Sequence, residues 1–175
     1  EGTVVYGEFA PDGKTLATVS YDRTVRLWDV STPSRAQERG VLTGSEGPIR
    51  TLAWSPDGRT LATGGNDMKI RLWDVPNLRE LGTPLTRQTN TIHALAWSKD
   101  GRKLLSGSDD NTAQMWNTTD PNAPTPMGLP FGGHTGALWS VAFSPDGTKA
   151  STASVDGTAK IWSLADPALS LIHIS

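Results

Sequence analysis

Trp54-Ser55-Pro56-Asp57-Gly58 belongs to a set of four related stretches. The set runs Phe9-Ala10-Pro11-Asp12-Gly13, Trp54 to Gly58, Trp97-Ser98-Lys99-Asp100-Gly101 and Phe143-Ser144-Pro145-Asp146-Gly147, at steps of 45, 43 and 46 residues. A second set keeps the same step: Trp28-Asp29, Trp73-Asp74, Trp116-Asn117 and Trp162-Ser163. A period of this size marks a repeat architecture. A chain spent on copies of one unit reads as a surface for partners rather than as a single catalytic pocket.

Around Trp54 the unit resolves into short strands. Ile49 to Trp54 is apolar at Ile49, Leu52 and Trp54. Strands alternate with period two, so the three-residue step from Ile49 to Leu52 breaks phase. The same break recurs at Ile92/Leu95/Trp97 and Leu138/Val141/Phe143. A β-bulge in this strand accounts for all three. Pro56-Asp57-Gly58 then reads as a turn: Pro presets φ, Asp bonds the local backbone, and Gly accepts positive φ. Thr60 to Gly64 is a second strand, Lys69 to Val75 a third, and a softer fourth lies near Glu80 to Leu85. No segment carries a helical period. Four short antiparallel strands cannot bury both faces of their sheet alone. Stacking such sheets radially solves the problem, which predicts an all-β propeller with four-stranded blades.

The segments Ser31–Arg39, Pro76–Pro84 and Thr118–Pro130 are long and rich in proline, and read as spacers between blades. Of the seven Trp, six fall on two repeat positions: Trp28, Trp73, Trp116 and Trp162 on one, Trp54 and Trp97 on the other. Repetition of this kind marks them as core.

These residues resemble the WD40-repeat family, over residues 1 to about 168. The connector prolines and near-consensus repeats look like its bacterial members. The family carries a hydrogen-bonded tetrad of His, Ser/Thr, Asp and Trp. The fourth copy matches it with His134, Ser154, Asp156 and Trp162. The third has Ser108, Asp110 and Trp116, with Arg87-Gln88 in place of Gly-His. The second has Asp67 and Trp73, with Ser45 at the His position and Gly65 at the Ser position. The first has Ser20, Asp22 and Trp28. The resemblance implies that three blades lack the complete network. It also implies that partners bind on the face that carries the bulge and the second turn. Carried over, the bulge position is Val5, Arg50, His93 and Trp139, and the residue before the tetrad Asp is Tyr21, Asn66, Asp109 and Val155. Core positions repeat because every blade has the same packing problem; positions that vary are free to carry specificity. Arg50, Trp139 and Tyr21 are residue types enriched at binding hot spots, and His93, Asn66 and Asp109 complete the candidate surface.

The blades are expected at residues 1–43, 44–86, 87–132 and 133–168. The chain lacks an initiating Met and opens inside a strand-like run, Thr3 to Ala10, as a fragment would. Residues 169–175, Leu-Ser-Leu-Ile-His-Ile-Ser, read as an in-frame translation of a transposase adapter used for sequencing libraries. They are also apolar enough to serve as a strand. WD40 propellers commonly close with about seven blades, so four imply an open arc whose exposed edges invite self-association.

Composition narrows the function. The net charge of −2 and pI near 5.9 give no electrostatic support for nucleic-acid binding. There is no cysteine, hence no disulfide and no thiolate metal site. No apolar run approaches a membrane span, and no membrane partner is expected. His134 belongs to the tetrad, His93 stands beside the bulge, and His173 lies in the doubtful tail. Asp12, Asp57, Asp100 and Asp146 are turn formers, one per blade, not a paired acid and base. Gly64-Gly65-Asn66-Asp67 sits in a strand-turn and makes a poor phosphate cradle; Asn117-Thr118-Thr119 matches a glycosylation sequon incidentally. No catalytic residue, cofactor or metal is therefore expected. The expectation is a cytoplasmic, non-catalytic scaffold for other proteins or peptides. The alternative is a regulatory or sensor propeller attached to a kinase, an NTPase or a transcriptional regulator.

Overall fold

The computed structural model describes residues 2–165 and the backbone of residues 171–174. Four antiparallel sheets follow one another along the chain, each a simple four-stranded meander. The first holds β1 (Val4–Phe9), β2 (Thr15–Ser20), β3 (Val25–Asp29) and β4 (Gln37–Leu42). The second holds β5 (Ile49–Trp54), β6 (Thr60–Gly65), β7 (Ile70–Asp74) and β8 (Arg79–Leu85). The third holds β9 (Ile92–Trp97), β10 (Lys103–Ser108), β11 (Ala113–Asn117) and β12 (Thr125–Phe131). The fourth holds β13 (Leu138–Phe143), β14 (Lys149–Ser154), β15 (Ala159–Ser163) and β16 (Leu171–Ile174). A single 3-10 turn, Pro33–Arg35, is the one helical element among the described residues. The first strands of successive sheets pack side by side, β1 on β5, β5 on β9 and β9 on β13, so the sheets form the blades of an open arc.

The turns form as their sequences require. Gly13, Gly58, Gly101 and Gly147 all take positive φ, between 67° and 70°. Asp57 Oδ1 accepts from the Ser55 hydroxyl at 2.6 Å and from the Arg59 N–H at 3.0 Å, closing the turn that the sequence marks. The phase break in each first strand is a bulge. Pairing steps from Val4 to Tyr6, from Ile49 to Thr51, from Ile92 to Ala94 and from Leu138 to Ser140. The skipped residues are Val5, Arg50, His93 and Trp139.

The proline-rich segments are more than spacers. Each contains or runs into the outer strand of its blade: β4, β8 and β12. Pro84, Pro126 and Pro130 lie within these strands, and Pro126 pairs opposite Trp116. An outermost strand has one free edge, where a missing N–H costs no ladder bond. In the fourth sheet the outer strand falls in the stretch read as a tail: Leu171 pairs with Trp162 and Ile174 with Ala159. Leu169, Ser170 and Ser175, and the side chain of His173, lie outside the described residues.

The core lies between blades. One cluster joins Val19, Leu27 and Leu42 to Ile49, Leu61 and Trp73. A second joins Ile70, Leu72 and Leu85 to Ile92, Leu104 and Trp116, and a third joins Leu105 and Phe131 to Leu138 and Trp162. Polar rungs supplement this packing. The Trp54 indole N–H donates to the Glu8 carbonyl at 3.0 Å, and that of Trp97 to the Ala53 carbonyl at 3.1 Å, each reaching the preceding blade. The corresponding Phe143 has no N–H with which to repeat the bond.

Candidate partner-binding surface

Each blade holds a polar chain that fixes its second turn. In the fourth, the Trp162 indole N–H donates to Thr152 Oγ1 at 3.1 Å. Thr152 Oγ1 lies 2.8 Å from His134 Nε2, and His134 Nδ1 lies 2.8 Å from Asp156 Oδ2. A carboxylate only accepts, so we assign the proton to Nδ1, and the Thr152 hydroxyl donates to Nε2. The linking hydroxyl is thus Thr152, not Ser154. The Ser154 hydroxyl instead donates to the Gly136 carbonyl at 2.8 Å and accepts the Asp156 N–H at 3.1 Å. Ser20 and Ser108 hold Asp22 and Asp110 in the same way. The sequence carried a signal for the true link, since Thr18, Thr63, Ser106 and Thr152 each stand ten residues before the repeated Trp. Trp28, Trp73 and Trp116 donate to those hydroxyls at 3.0, 2.8 and 3.0 Å.

The blades end this chain differently. In the third, the Ser106 hydroxyl donates to Gln88 Oε1 at 2.5 Å, and Gln88 Nε2 donates to the Thr112 carbonyl at 3.0 Å. Gln88 is buried and stands where the fourth blade has His134. In the second, the Asp67 carboxylate accepts from Arg71 Nη1 at 2.5 Å and from the Ser45 hydroxyl at 3.2 Å. Arg71 is buried, and its Nε lies 3.4 Å from Glu80 Oε1. In the first, Asp22 accepts from the Thr24 hydroxyl at 2.6 Å and the Gly2 N–H at 3.3 Å.

Hydroxyl donors depress the carboxyls of these turns. The Thr24 hydroxyl holds Asp22 low, Ser98 does so for Asp100, Ser144 for Asp146 and Thr158 for Asp156. A carboxylate depressed in the folded state stabilises fully above its unfolded pKa, about 4, and loses that contribution as pH falls through the folded value. The melting temperature should therefore be flat from neutral pH to about 5 and fall below about 4. Melts followed by circular dichroism across pH check this. A decline that begins above pH 6 would point to histidine instead.

The turns and bulges meet at one end of the arc. Arg50 Nε donates to Asn66 Oδ1 at 2.7 Å within its blade, and Nη1 donates to the Tyr21 hydroxyl of the preceding blade. The Arg50 guanidinium also lies 4.5 Å from the centroid of the Tyr21 ring. His93 Nε2 lies 3.0 Å from Asp109 Oδ1 within its blade. The His93 ring stacks on Trp139 of the next blade, with centroids 4.7 Å apart and planes 19° apart. The candidate residues thus fall into two clusters, Tyr21/Arg50/Asn66 and Asp109/His93/Trp139, each bridging two blades. Tyr21 is 40% and Trp139 60% exposed. Tyr6, Arg50, His93 and Trp139 also line a cavity of about 210 Å³ between the first strands of the four blades. Val5 and Val155, at the remaining equivalent positions, join neither cluster. Among the described residues no three His, Asp or Glu side chains converge as a metal would need.

Comparison with known proteins finds the family described as "WD domain, G-beta repeat" over residues 3–29, 36–74, 79–117 and 127–163. The boundaries are offset from the sheets. Residues 36–74 take in β4 of the first blade and β5 to β7 of the second, and 79–117 take in β8 and then β9 to β11. Each sequence repeat after the first therefore gives its opening strand to one blade and three strands to the next. A curated relative, "Protein transport protein SEC13" of Lodderomyces elongisporus, is 42% identical over 43 residues. The matched stretch covers 25% of this chain and 14% of that protein.

Proposed function

The chain belongs to the WD40-repeat family, whose propellers generally serve as scaffolds for protein–protein interaction, and on that premise we propose that it binds a protein or peptide on its bulge face. The observation that carries this reading is the pair of clusters, Tyr21/Arg50/Asn66 and Asp109/His93/Trp139. Each places an exposed aromatic ring beside a polar group held from two blades, so binding would order few additional side chains. Arg, Tyr and Trp at fixed positions are the anchors that such contacts use. The family is generally non-catalytic, and we assign the chain a binding role rather than a reaction. Likeness to a protein-transport protein over 43 residues supports a transport complex as the setting.

Peptides selected against the 175-residue chain by display provide the test. Arg50→Ala and Trp139→Ala should each weaken a selected peptide about tenfold or more, the loss expected of a hot spot. Their unfolding free energy should fall by no more than about 1 kcal/mol, since Trp139 is exposed and Arg50 would lose only polar contacts near the surface. Weakened binding matched by an equal loss of stability would sink the proposal.

A further inference from the structure

The second and third blades hold their bulge residues by the same device but with different charge. In each, the residue just before the turn Asp meets the bulge side chain of its own blade. In the third blade that residue is Asp109, whose Oδ1 lies 3.0 Å from His93 Nε2, so the bulge residue already has a carboxylate beside it. In the second it is Asn66, whose Oδ1 accepts from Arg50 Nε at 2.7 Å. An amide orients a guanidinium without neutralising it, and arginine side chains stay protonated in proteins. The other group on Arg50, the Tyr21 hydroxyl, is no carboxylate either. Among the described residues Arg50 joins no ion pair, whereas Arg26, Lys69, Arg71, Arg79 and His134 each face a carboxylate.

The groups left over in this cluster are donors. Arg50 Nη2 makes no hydrogen bond among the described residues and is not buried. Asn66 Oδ1 and the Tyr21 oxygen already accept from Arg50, which leaves the Asn66 amide N–H groups and the Tyr21 O–H to donate. The Tyr21 ring, its centroid 4.5 Å from the guanidinium carbon, braces the cation from the first blade while Asn66 holds it from the second. All three residues belong to adjoining blades inside the array, so the cluster is the same whatever flanks the four blades.

We propose that Arg50 pairs with the carboxylate of an Asp or Glu side chain in the protein or peptide that binds the bulge face, an inference that rests on the bulge-face reading. A carboxylate brings one negative charge and only acceptors, the complement of one fixed cation set among donors. A lysine or arginine of a partner would meet like charge at the same point. Arg50 shares a cavity of about 210 Å³ with His93 and Trp139, which gives the residues next to that carboxylate an aromatic surface to pack on. The third blade cannot offer a second such site, because Asp109 occupies the equivalent place.

Random peptides displayed on phage and selected on the 175-residue chain should be enriched in Asp or Glu at one position. A selected peptide, made as its C-terminal amide, should bind the parent about tenfold more weakly once Gln or Asn replaces that acid, as measured by calorimetry. Asn66→Asp gives Arg50 the internal carboxylate that His93 already has. It should weaken the acidic peptide about tenfold and change the affinity for the neutral counterpart by no more than about twofold. A circular dichroism melt like the parent's shows that the variant is folded; should it not fold, Arg50→Gln takes its place, and the comparison of acid with neutral peptide on the parent needs no variant. Peptides that depend on Trp139 but carry no acidic residue would overturn this inference and leave the bulge-face reading standing. So would equal binding of the acidic and neutral peptides by the parent, or undiminished binding of the acidic peptide by Asn66→Asp. Failure to enrich any peptide removes the bulge-face reading and this inference together.

Discussion

Replacing Arg71 by Ala is expected to cost about 3–5 kcal/mol, the usual consequence of removing one partner from a buried ion pair. The Arg71 side chain is 4% exposed and that of Asp67 5%. The guanidinium faces Asp67 at 2.5 Å, Glu80 at 3.4 Å and Glu46 at 3.8 Å. Burial already pushes the Glu80 carboxyl up, and Arg71 is the chief influence holding it down. Without the guanidinium, the Asp67 carboxyl, whose side chain is buried, is left with only the Ser45 hydroxyl and the Glu46 and Lys69 amides as partners. Arg71→Met with Asp67→Asn should recover most of the loss, since neutral groups avoid the penalty of a stranded charge. Arg26 is the control. It occupies the same position in the first blade, but its pair with Glu38 is 36% and 38% exposed, so Arg26→Ala should cost no more than about 1 kcal/mol. Urea unfolding of the four proteins checks this. Equal losses for Arg26→Ala and Arg71→Ala would refute the account.

The second large effect concerns His134. His134→Ala should cost about 3 kcal/mol, because it strips partners from Asp156 and from the buried Thr152 and leaves a void. His134→Gln should cost about 1 kcal/mol, since an amide keeps the link to the hydroxyl. The third blade already contains that solution: Gln88 accepts from Ser106 and donates to the Thr112 carbonyl. If glutamine proves as damaging as alanine, the fourth blade needs the imidazole's second bond, to Asp156, more than its first. Thermal melts of both variants beside the parent decide this.

The inner strands were legible because their side chains are buried against neighbouring blades as well as within their own sheet, which enforces an apolar pattern. Ile49–Trp54 was readable to its ends, and Thr60–Gly64 missed only Gly65 of β6. The outer strands β4 and β12 were not, since a strand with a free edge needs neither strict alternation nor a full set of N–H groups. Proline in it therefore misled. The bulge residues were visible as a phase break. What sequence could not show is that Arg50 reaches back to Tyr21 while His93 reaches forward to Trp139. Those contacts depend on how far one blade is turned against the next, a quantity that no local pattern encodes. Thr152 was missed for a different reason. It lies two residues from Ser154, so the two point to the same side of β14, and only the hydrogen bonds distinguish their roles.

The offset between sequence repeat and blade bears on how such an array can lengthen. A tandem duplication that copies one full period adds one complete four-stranded sheet wherever its breakpoints fall. The inserted copy hands its opening strand to the sheet already begun and leaves three strands awaiting the next opening strand, as the original did. Breakpoints need not respect any structural boundary. Genetic accident can extend the arc by whole units, with every existing blade left intact.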